Sequence, residues 1–182
     1  RRTILTVAPA SAARPLLEMT RGALFNSLGP LVEGATVLDL YAGSGALGIE
    51  ALSRGAASCL FVESDTPCVA AIRGNLDRCH LAGQARILQR RVEIAVDQIE
   101  GASALIFVDP PFTLGERWTE EQGRRITEAT ARALAPGGRL VFRPPAEAAA
   151  PPTWGELDLL RDRCYGRSRL CVYGRSAPAD SA

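Results

Sequence analysis

Two short motifs in this chain carry residue types that are suited to chemistry, and each follows an apolar run. The first extends from Asp39 to Gly48 and reads Asp-Leu-Tyr-Ala-Gly-Ser-Gly-Ala-Leu-Gly. Its glycines allow the backbone to turn sharply and to approach a ligand closely. The second, Asp109-Pro110-Pro111-Phe112, supplies a hydrogen-bond acceptor, two rigid prolines and an aromatic ring. Together they predict a ligand site beside a site that binds and orients an amino group.

The acid that precedes the glycines indicates which ligand the first motif binds. A carboxylate at Asp39 repels phosphates but suits an ammonium group. S-adenosylmethionine (SAM) carries an ammonium, a sulfonium and no phosphate. Glu63 ends the next apolar run, where an acid can accept hydrogen bonds from ribose hydroxyls. Including the neighbours in both loops, the predicted SAM contacts are Asp39, Tyr41, Ala42, Gly43, Ser44, Gly45, Glu63 and Ser64.

The second motif is suited to holding an exocyclic amine for methylation. The two N–H groups of such an amine can donate to the Asp109 carboxylate and to a backbone carbonyl that a proline holds in a fixed direction. This arrangement aims the nitrogen lone pair at a methyl carbon, while Phe112 stacks on the ring. Catalysis would then consist mainly of positioning, with Asp109 as acceptor and proton relay. We therefore expect Asp109, Pro110, Pro111 and Phe112 to be the catalytic residues.

The elements around these motifs alternate between short apolar runs and longer amphipathic ones. Such alternation predicts an α/β fold with a mostly parallel, doubly wound sheet, since parallel neighbours need crossover helices. Ligands of these sheets bind beyond the carboxyl ends of the strands, where both motifs fall. The predicted strands are Thr36–Leu40, Ser58–Val62, Ala85–Leu88, Ala104–Val108 and Gly138–Phe142, and the predicted helices between them are Leu47–Arg54, Pro67–Leu76, Val92–Ile99 and Glu120–Leu134.

The two ends of the chain differ from this repeating core. The length of 182 residues favours one domain. After a proline-rich loop, Leu157–Tyr165 and Ser168–Tyr173 are predicted to form a C-terminal antiparallel hairpin. Within a single domain of residues 1–182 we expect an N-terminal arm at 1–18, a first helix at 19–28, a catalytic core at 36–175 and a frayed tail at 176–182.

Composition excludes several classes of function. The chain has no lysine, which excludes a lysine nucleophile and a P-loop phosphate site. Its 5 cysteines form no C-x-x-C pair, so we expect reduced thiols in a cytoplasmic protein, without a metal site or a disulfide framework. No apolar run is long enough to span a bilayer. The formal net charge is +1, so contacts to RNA would come from local arginines, for which the candidates are Arg14, Arg21, Arg143 and Arg167.

Three stretches of the sequence resemble a known family. They are Arg14-Pro15 with the segment at residues 21–28, the glycine motif with the segment at residues 50–56, and Phe107-Val108-Asp109-Pro110-Pro111-Phe112. On these residues the chain resembles the RsmD-type bacterial methyltransferases, which act on guanine N2 in small-subunit ribosomal RNA. The resemblance implies a Rossmann-like SAM-dependent fold. It also implies that the substrate is 16S ribosomal RNA or a partly assembled small subunit, and we expect a monomeric enzyme.

Two positions depart from the pattern of that family. Members commonly have Thr after the Arg-Pro pair and Asp two places later, whereas this chain has Leu16, Leu17 and Glu18. In that family a polar residue, usually Asn or Asp, would meet the adenine amino group of SAM; its place falls near Arg91 in this chain. Arginine cannot accept a hydrogen bond, so the resemblance implies a backbone contact at Val92 instead.

Other functions use related residues and stay open at this point. The Asp-Pro-Pro-aromatic device also suits amino methylation of adenine N6 in nucleic acid or of a protein glutamine. A non-catalytic module that binds SAM or RNA could keep the fold, although the intact Asp39, Glu63 and Asp109 argue against it. A dinucleotide oxidoreductase shares the glycine motif, but His80, the only histidine, is remote in sequence from both motifs.

Overall fold

The computed structural model describes residues 18–99, 101–111, 119–166 and 168–175. The predictions for the N-terminal arm, Arg14, Phe112, Arg167 and the tail fall outside the described residues. Within them, the first helix, α1, spans Glu18–Leu28, one residue longer than predicted.

Over the described residues, the sheet has eight strands in the order β3-β2-β1-β4-β5-β8-β7-β6. Its first five strands are all parallel and match the predicted apolar runs to within a residue, apart from the start of β5. This confirms the predicted doubly wound α/β architecture. The five strands are β1 (Thr36–Leu40), β2 (Ser58–Glu63), β3 (Ala85–Gln89), β4 (Ser103–Val108) and β5 (Leu134–Phe142).

Strand β5 begins four positions before the predicted start at Gly138. The pairing shifts between Ser103, which faces Leu134, and Leu105, which faces Arg139. The extra residues of β5 bulge out between these two pairs, so the strand passes through a Pro-Gly-Gly segment that resembles a turn in sequence. The helix before it therefore ends at Ala133 and not at Leu134.

The C-terminal strands pair antiparallel, which confirms the predicted hairpin. Strand β7 spans Leu157–Tyr165 and pairs with β8, Ser168–Gly174, which in turn lies beside β5. A short strand that was not predicted, β6 (Thr153–Trp154), pairs with β7. Two residues are too few to show any periodicity in the sequence.

Helices cover both faces of the parallel strands. After α1, these are α2 (Ala46–Ser53), α3 (Thr66–Cys79), α4 (Val92–Ala95) and α5 (Glu120–Ala133). The side chain of Asp65 caps α3, and Thr119 and Gln122 form a capping box on α5. The predicted helix at residues 92–99 is one α-turn that tightens into a 3₁₀ turn over Val96–Gln98. No described helix is long and apolar enough to cross a membrane.

In the part of the chain that the structure describes, buried apolar residues form two clusters, one on each face of the sheet. Alternate residues along each strand belong to different clusters, as the period of a strand requires. Phe61 and Phe107 pack with α1, α2 and α3, while Val62 and Ile106 pack with α4, α5 and the hairpin. The rings of Phe25 and Phe107 lie 5.8 Å apart and seat α1 on the first face. Burial on both faces holds the strand ends in fixed positions.

Candidate functional site

Strand register brings four polar residues to one edge of the sheet. Leu40 is paired with Val62 and with Val108, and Val108 is paired with Phe142. The residues that follow these aligned positions, in spatial order, are Glu63, Tyr41, Asp109 and Arg143. The two sequence motifs therefore lie side by side at the carboxyl ends of adjacent strands, as predicted.

The first motif forms a tight loop between β1 and α2. Three of its residues have positive φ, namely Tyr41 at 58°, Gly43 at 55° and Gly45 at 80°. Glycine adopts this conformation without penalty, whereas for a bulky residue such as Tyr41 it is uncommon and costly. The backbone N–H of Gly45 donates to the carbonyl of Ala42 at 2.8 Å and closes the turn.

The third glycine of the motif serves a different purpose from the first two. A Cβ atom on Gly48 would lie 2.3 Å from the ring of Phe61 and 2.7 Å from Sγ of Cys59. Gly48 therefore lets α2 approach β2 more closely than any side chain would allow. That close approach explains why the motif needs glycine at its third position.

Asp39 makes an internal contact where we had expected a contact with the ligand. The residue is 1% exposed, and its Oδ2 accepts a hydrogen bond from the Gly48 backbone at 2.9 Å. Burial raises the pKa of Asp39 well above its usual range; the bond from Gly48 opposes that rise, and the charges of Asp109 and Glu63 add to it. The structure thus places Asp39 behind the loop, where it ties α2 to the end of β1.

The Glu63 carboxylate joins the two loops that follow β1 and β2. Its Oε2 accepts a hydrogen bond from the Gly43 backbone at 2.8 Å, and its Oε1 accepts from the backbones of Ser64 at 2.7 Å and Asp65 at 2.9 Å. The side chain is half-buried. A carboxylate offers about four lone pairs, so Glu63 keeps capacity to accept hydrogen bonds from a bound molecule.

A third acid, which the sequence analysis missed, lies beside this loop. Glu93 in α4 is 9% exposed and accepts hydrogen bonds from Oη of Tyr41 at 2.9 Å and from Nε of Arg91 at 3.3 Å. The Arg91 side chain is 62% exposed, whereas Val92 is buried in the core. The one signal in the sequence was an acid within an otherwise apolar segment, Val-Glu-Ile-Ala-Val.

Asn75, a second residue that the sequence analysis missed, supports the glycine loop from helix α3. Asn75, on α3, is fully buried, and its Nδ2 donates to the backbone carbonyl of Ser44 at 2.9 Å. A buried amide needs such partners because an unsatisfied polar group is costly. Asn75 therefore fixes the loop against α3.

The acid of the second motif is held by an arginine. Nε of Arg143 lies 2.5 Å from Oδ1 of Asp109, and its Nη2 lies 2.9 Å from Oδ2. The two side chains are 5% and 15% exposed, respectively. Burial raises the pKa of Asp109 above its usual range, while the charge and hydrogen bonds of Arg143 act to lower it. Pro110 is buried and Pro111 is half-buried beside this pair.

The position of Arg143 corrects the expectation that it contacts RNA directly. Its guanidinium is buried against Asp109 and is not displayed on the surface. Arg21, a second predicted RNA contact, lies on α1 with its Nε 3.3 Å from Oε2 of Glu50 and its side chain 19% exposed. The described residues contain no cluster of His, Cys, Asp or Glu that could hold a metal ion.

The composition of the edge limits the ligands it suits. Carboxylates from Asp39, Glu63, Glu93 and Asp109 lie in or next to the loops, and the Arg143 cation is engaged by Asp109. Such an edge disfavours a pyrophosphate and suits a ligand that is cationic or rich in hydrogen-bond donors. A ligand of this kind would bind directly beside the Asp-Pro-Pro segment.

Sequence comparisons identify relatives over nearly the whole chain. The family model described as "Conserved hypothetical protein 95" matches residues 1–174. The "Putative rRNA methyltransferase YlbH" of Bacillus subtilis (strain 168) is 33% identical over 172 residues, covering 93% of this chain and 91% of that protein. The "Ribosomal RNA small subunit methyltransferase D" of Escherichia coli (strain K12) is 31% identical over 183 residues, covering 97% and 87%, respectively.

Solved structures agree with these matches. The "Putative methyltransferase yhhF" from Escherichia coli superposes with a TM-score of 0.77 at 31% identity, covering 96% of this chain and 92% of that one. A conserved hypothetical protein from Streptococcus pyogenes gives a TM-score of 0.75 at 31% identity, covering 86% and 95%, respectively. The chain therefore belongs to the conserved hypothetical protein 95 family, the family of the RsmD-type methyltransferases that its motifs indicate.

Proposed function

We propose that this protein transfers a methyl group from SAM to the exocyclic N2 amine of a guanine in 16S ribosomal RNA. The observation that carries the proposal is the alignment of strand ends that places Glu63 and the glycine loop next to Asp109. The methyl donor and the amine acceptor would thereby meet at one edge of the sheet. Two relatives named as ribosomal RNA methyltransferases support the class of substrate.

The residues present fit SAM as the cofactor. A Cβ atom on Gly43 would meet nothing within 4 Å, so the loop is open at the point where a ligand would approach. Glu63 would accept from the ribose hydroxyls, the loop from Tyr41 to Gly45 would pack against the methionine part, and Ser64, Arg91 and Val92 would border the adenine. Asp39 would act through the loop that it anchors. When bound, SAM supplies a methyl group on a positively charged sulfur.

The acceptor amine would be held by the Asp-Pro-Pro segment. One amine N–H would donate to the Asp109 carboxylate and the other to a backbone carbonyl beside Pro110. This double restraint directs the nitrogen lone pair toward the methyl carbon and reduces catalysis largely to orientation. Phe112 would stack on the base, and Arg14, Arg21 and Arg167 would contact phosphates of the RNA.

Two other functions remain as alternatives. Adenine N6 and a protein glutamine also present an NH₂ group that Asp109 could orient. A non-catalytic binding module would need neither Asp109 nor a fixed amine site. We favour ribosomal RNA because the relatives are named for it. A monomer that acts in the cytoplasm on rRNA or on a partly assembled small subunit completes the proposal.

Transfer of tritium from labelled SAM tests the proposal. The substrates are ribosomal RNA and 30S particles from a host that lacks the methylation, and the product is digested for nucleoside analysis. Label in N2-methylguanosine is the expected result. Label in N6-methyladenosine or in protein would support the alternative substrates. SAM binding without any transfer would support the non-catalytic module.

A further inference from the structure

The pairing of Asp109 with Arg143 is imposed by the sheet. The two residues directly follow Val108 and Phe142, which are register partners in β4 and β5. Backbone bonds fix both positions, from the Asp109 N–H to the carbonyl of Leu40 at 3.3 Å and from the Arg143 N–H to the carbonyl of Val108 at 3.1 Å. Both side chains are largely buried, so separating them would leave each charge without its partner in a site that water barely reaches.

Stability alone is a poor explanation for this pair. Taking two charges out of water is costly, and a buried ion pair is often no more stabilising than apolar residues of the same volume. The charge of Asp109 also raises the pKa of Asp39, a buried acid near the end of the adjacent strand β1. Arg143 places a positive charge directly against Asp109.

Geometry gives the pair a directional consequence. Arg143 engages both oxygens of Asp109 at once, which occupies one lone pair on each. These two parallel bonds fix the plane of the Asp109 carboxylate. The remaining lone pair on each oxygen points away from Arg143 and is available to other donors. Since those remaining lone pairs diverge, a donor group of the substrate can form one hydrogen bond to an Asp109 oxygen but cannot bridge both oxygens.

We propose that Arg143 is a positioning residue for methyl transfer, which holds Asp109 ionised and oriented so that it accepts a single hydrogen bond from the substrate amine. This inference rests on the proposed function. It assigns the second amine N–H to a backbone carbonyl and not to the other Asp109 oxygen. Arg143 itself does not touch the substrate in this arrangement.

Two substitutions separate the charge of Arg143 from its geometry. Arg143→Gln removes the charge, and Arg143→Lys keeps the charge but cannot form two parallel bonds. The matched control is Arg169→Gln, since Arg169 makes the same two-bond contact with Asp162 on the C-terminal hairpin, at 2.8 Å and 2.5 Å. SAM affinity, kcat, KM for RNA and the pH dependence of kcat are measured for each protein.

For Arg143→Gln we expect unchanged SAM affinity, a kcat at neutral pH lowered about tenfold or more, and an acid limb of the pH profile shifted upward by about 1–3 pH units. In Arg143→Lys, which keeps the charge, the acid limb should lie close to its wild-type pH, but kcat should stay below the wild-type value. Arg169→Gln should leave the limb in place. A loss of kcat in Arg143→Gln without any shift of the limb would overturn the proposal, because a structural defect alone lowers activity at every pH.

A measurement without RNA distinguishes failure of this inference from failure of the proposed function. The ¹³C carboxyl signal of Asp109, assigned by its absence in Asp109→Asn, is titrated in the wild type and in Arg143→Gln. A midpoint that rises in the variant supports control of Asp109 by Arg143 even if the wild type methylates no ribosomal RNA. An unchanged midpoint overturns the inference even if methylation is observed.

Discussion

The hydroxyl of Tyr41 donates a hydrogen bond to Oε1 of Glu93 at 2.9 Å and thereby connects the end of β1 with α4. Tyr41 has a φ of 58°, a conformation that a bulky residue keeps only when its surroundings enforce it. The other carboxylate oxygen of Glu93, Oε2, accepts a hydrogen bond from Nε of Arg91. The bond to Glu93 therefore helps to hold the glycine loop and the predicted adenine border in one arrangement.

Glu93→Ala should consequently weaken SAM binding although Glu93 is not a predicted SAM contact. We expect the dissociation constant to rise about tenfold, the size of a lost hydrogen bond to a charged group. Calorimetry measures this. Glu33→Ala, an exposed acid that precedes β1 at the opposite end of the sheet, is the control and should bind SAM normally. Unchanged affinity in Glu93→Ala would show that the loop holds its shape without the bond.

Glu63→Ala should also raise the SAM dissociation constant by about tenfold, through loss of the ribose acceptor. The substitution additionally leaves the backbone N–H groups of Gly43, Ser64 and Asp65 without their acceptor. Glu63→Gln, which keeps one carbonyl oxygen, should show a smaller effect. Equal affinities in the wild type and Glu63→Ala would contradict the assignment of Glu63 to the cofactor.

Asp109→Asn should lower kcat for methyl transfer by about 100-fold or more, because in the proposed mechanism the residue acts on the acceptor amine. SAM affinity should stay unchanged, since the proposed mechanism gives Asp109 a contact with the acceptor amine and none with SAM. Asparagine is preferred to alanine here because it keeps one acceptor for Arg143. Asp162→Asn, which alters the two-bond pair of Asp162 with Arg169, is the control for stability. A parallel loss of SAM binding would refute this division of roles.

Asp39→Asn should change stability in a pH-dependent manner. Burial raises the pKa of Asp39 in the folded state above its unfolded value. The contribution of Asp39 to stability is therefore fully present below about pH 4 and is lost as the pH rises from there through the folded pKa. Asparagine does not ionise and can still accept the Gly48 bond. Relative to the wild type, the variant should gain free energy of unfolding between pH 4 and neutrality. Urea unfolding across that range measures the gain, which should be absent in Asp77→Asn, an exposed position on α3.

Gly48→Ala should destabilise the protein by about 1–3 kcal/mol, because the added methyl group overlaps the Phe61 ring. Gly74→Ala offers a matched comparison, since its Cβ would meet nothing within 4 Å inside α3. That variant should gain about 0.5–1 kcal/mol, because alanine is the better helix former. Thermal unfolding of the two variants should therefore move in opposite directions. Equal melting temperatures would indicate that α2 shifts freely on β2.

Local patterns in the sequence were sufficient for most of the architecture. Apolar runs such as Ser58–Val62, bounded by glycines and polar residues, predicted parallel strands because both faces of such strands are buried. The start of β5 could not be predicted in this way, since Pro136-Gly137-Gly138 has the composition of a turn and only pairing with β4 draws it into the sheet. Likewise, β6 forms through its pairing with β7, which its own two residues do not reveal.

Candidate site residues could be predicted from the sequence when they belong to one motif. Contacts between residues that are distant in sequence could not. Asp39, Glu63 and Asp109 could be selected from the sequence because each lies at the end of an apolar run. The bonds from Tyr41 to Glu93 and from Arg143 to Asp109 join residues separated by 52 and 34 positions. Neither separation matches a helical or strand period. Arg143 was accordingly predicted as a surface contact, since only the register of β4 and β5 reveals its partner.

The strand order has an evolutionary consequence. The residues proposed for SAM lie on β1, β2 and β3 and the loops that follow them, all within positions 36–92, whereas Asp109 and Arg143 follow β4 and β5. Under the proposed function, the methyl donor would bind to the first half of the chain and the acceptor amine to the second. Substitutions in the second half would then change which amine is oriented for methylation while the donor site stays intact. A new acceptor preference could therefore arise by divergence of one contiguous stretch of the gene.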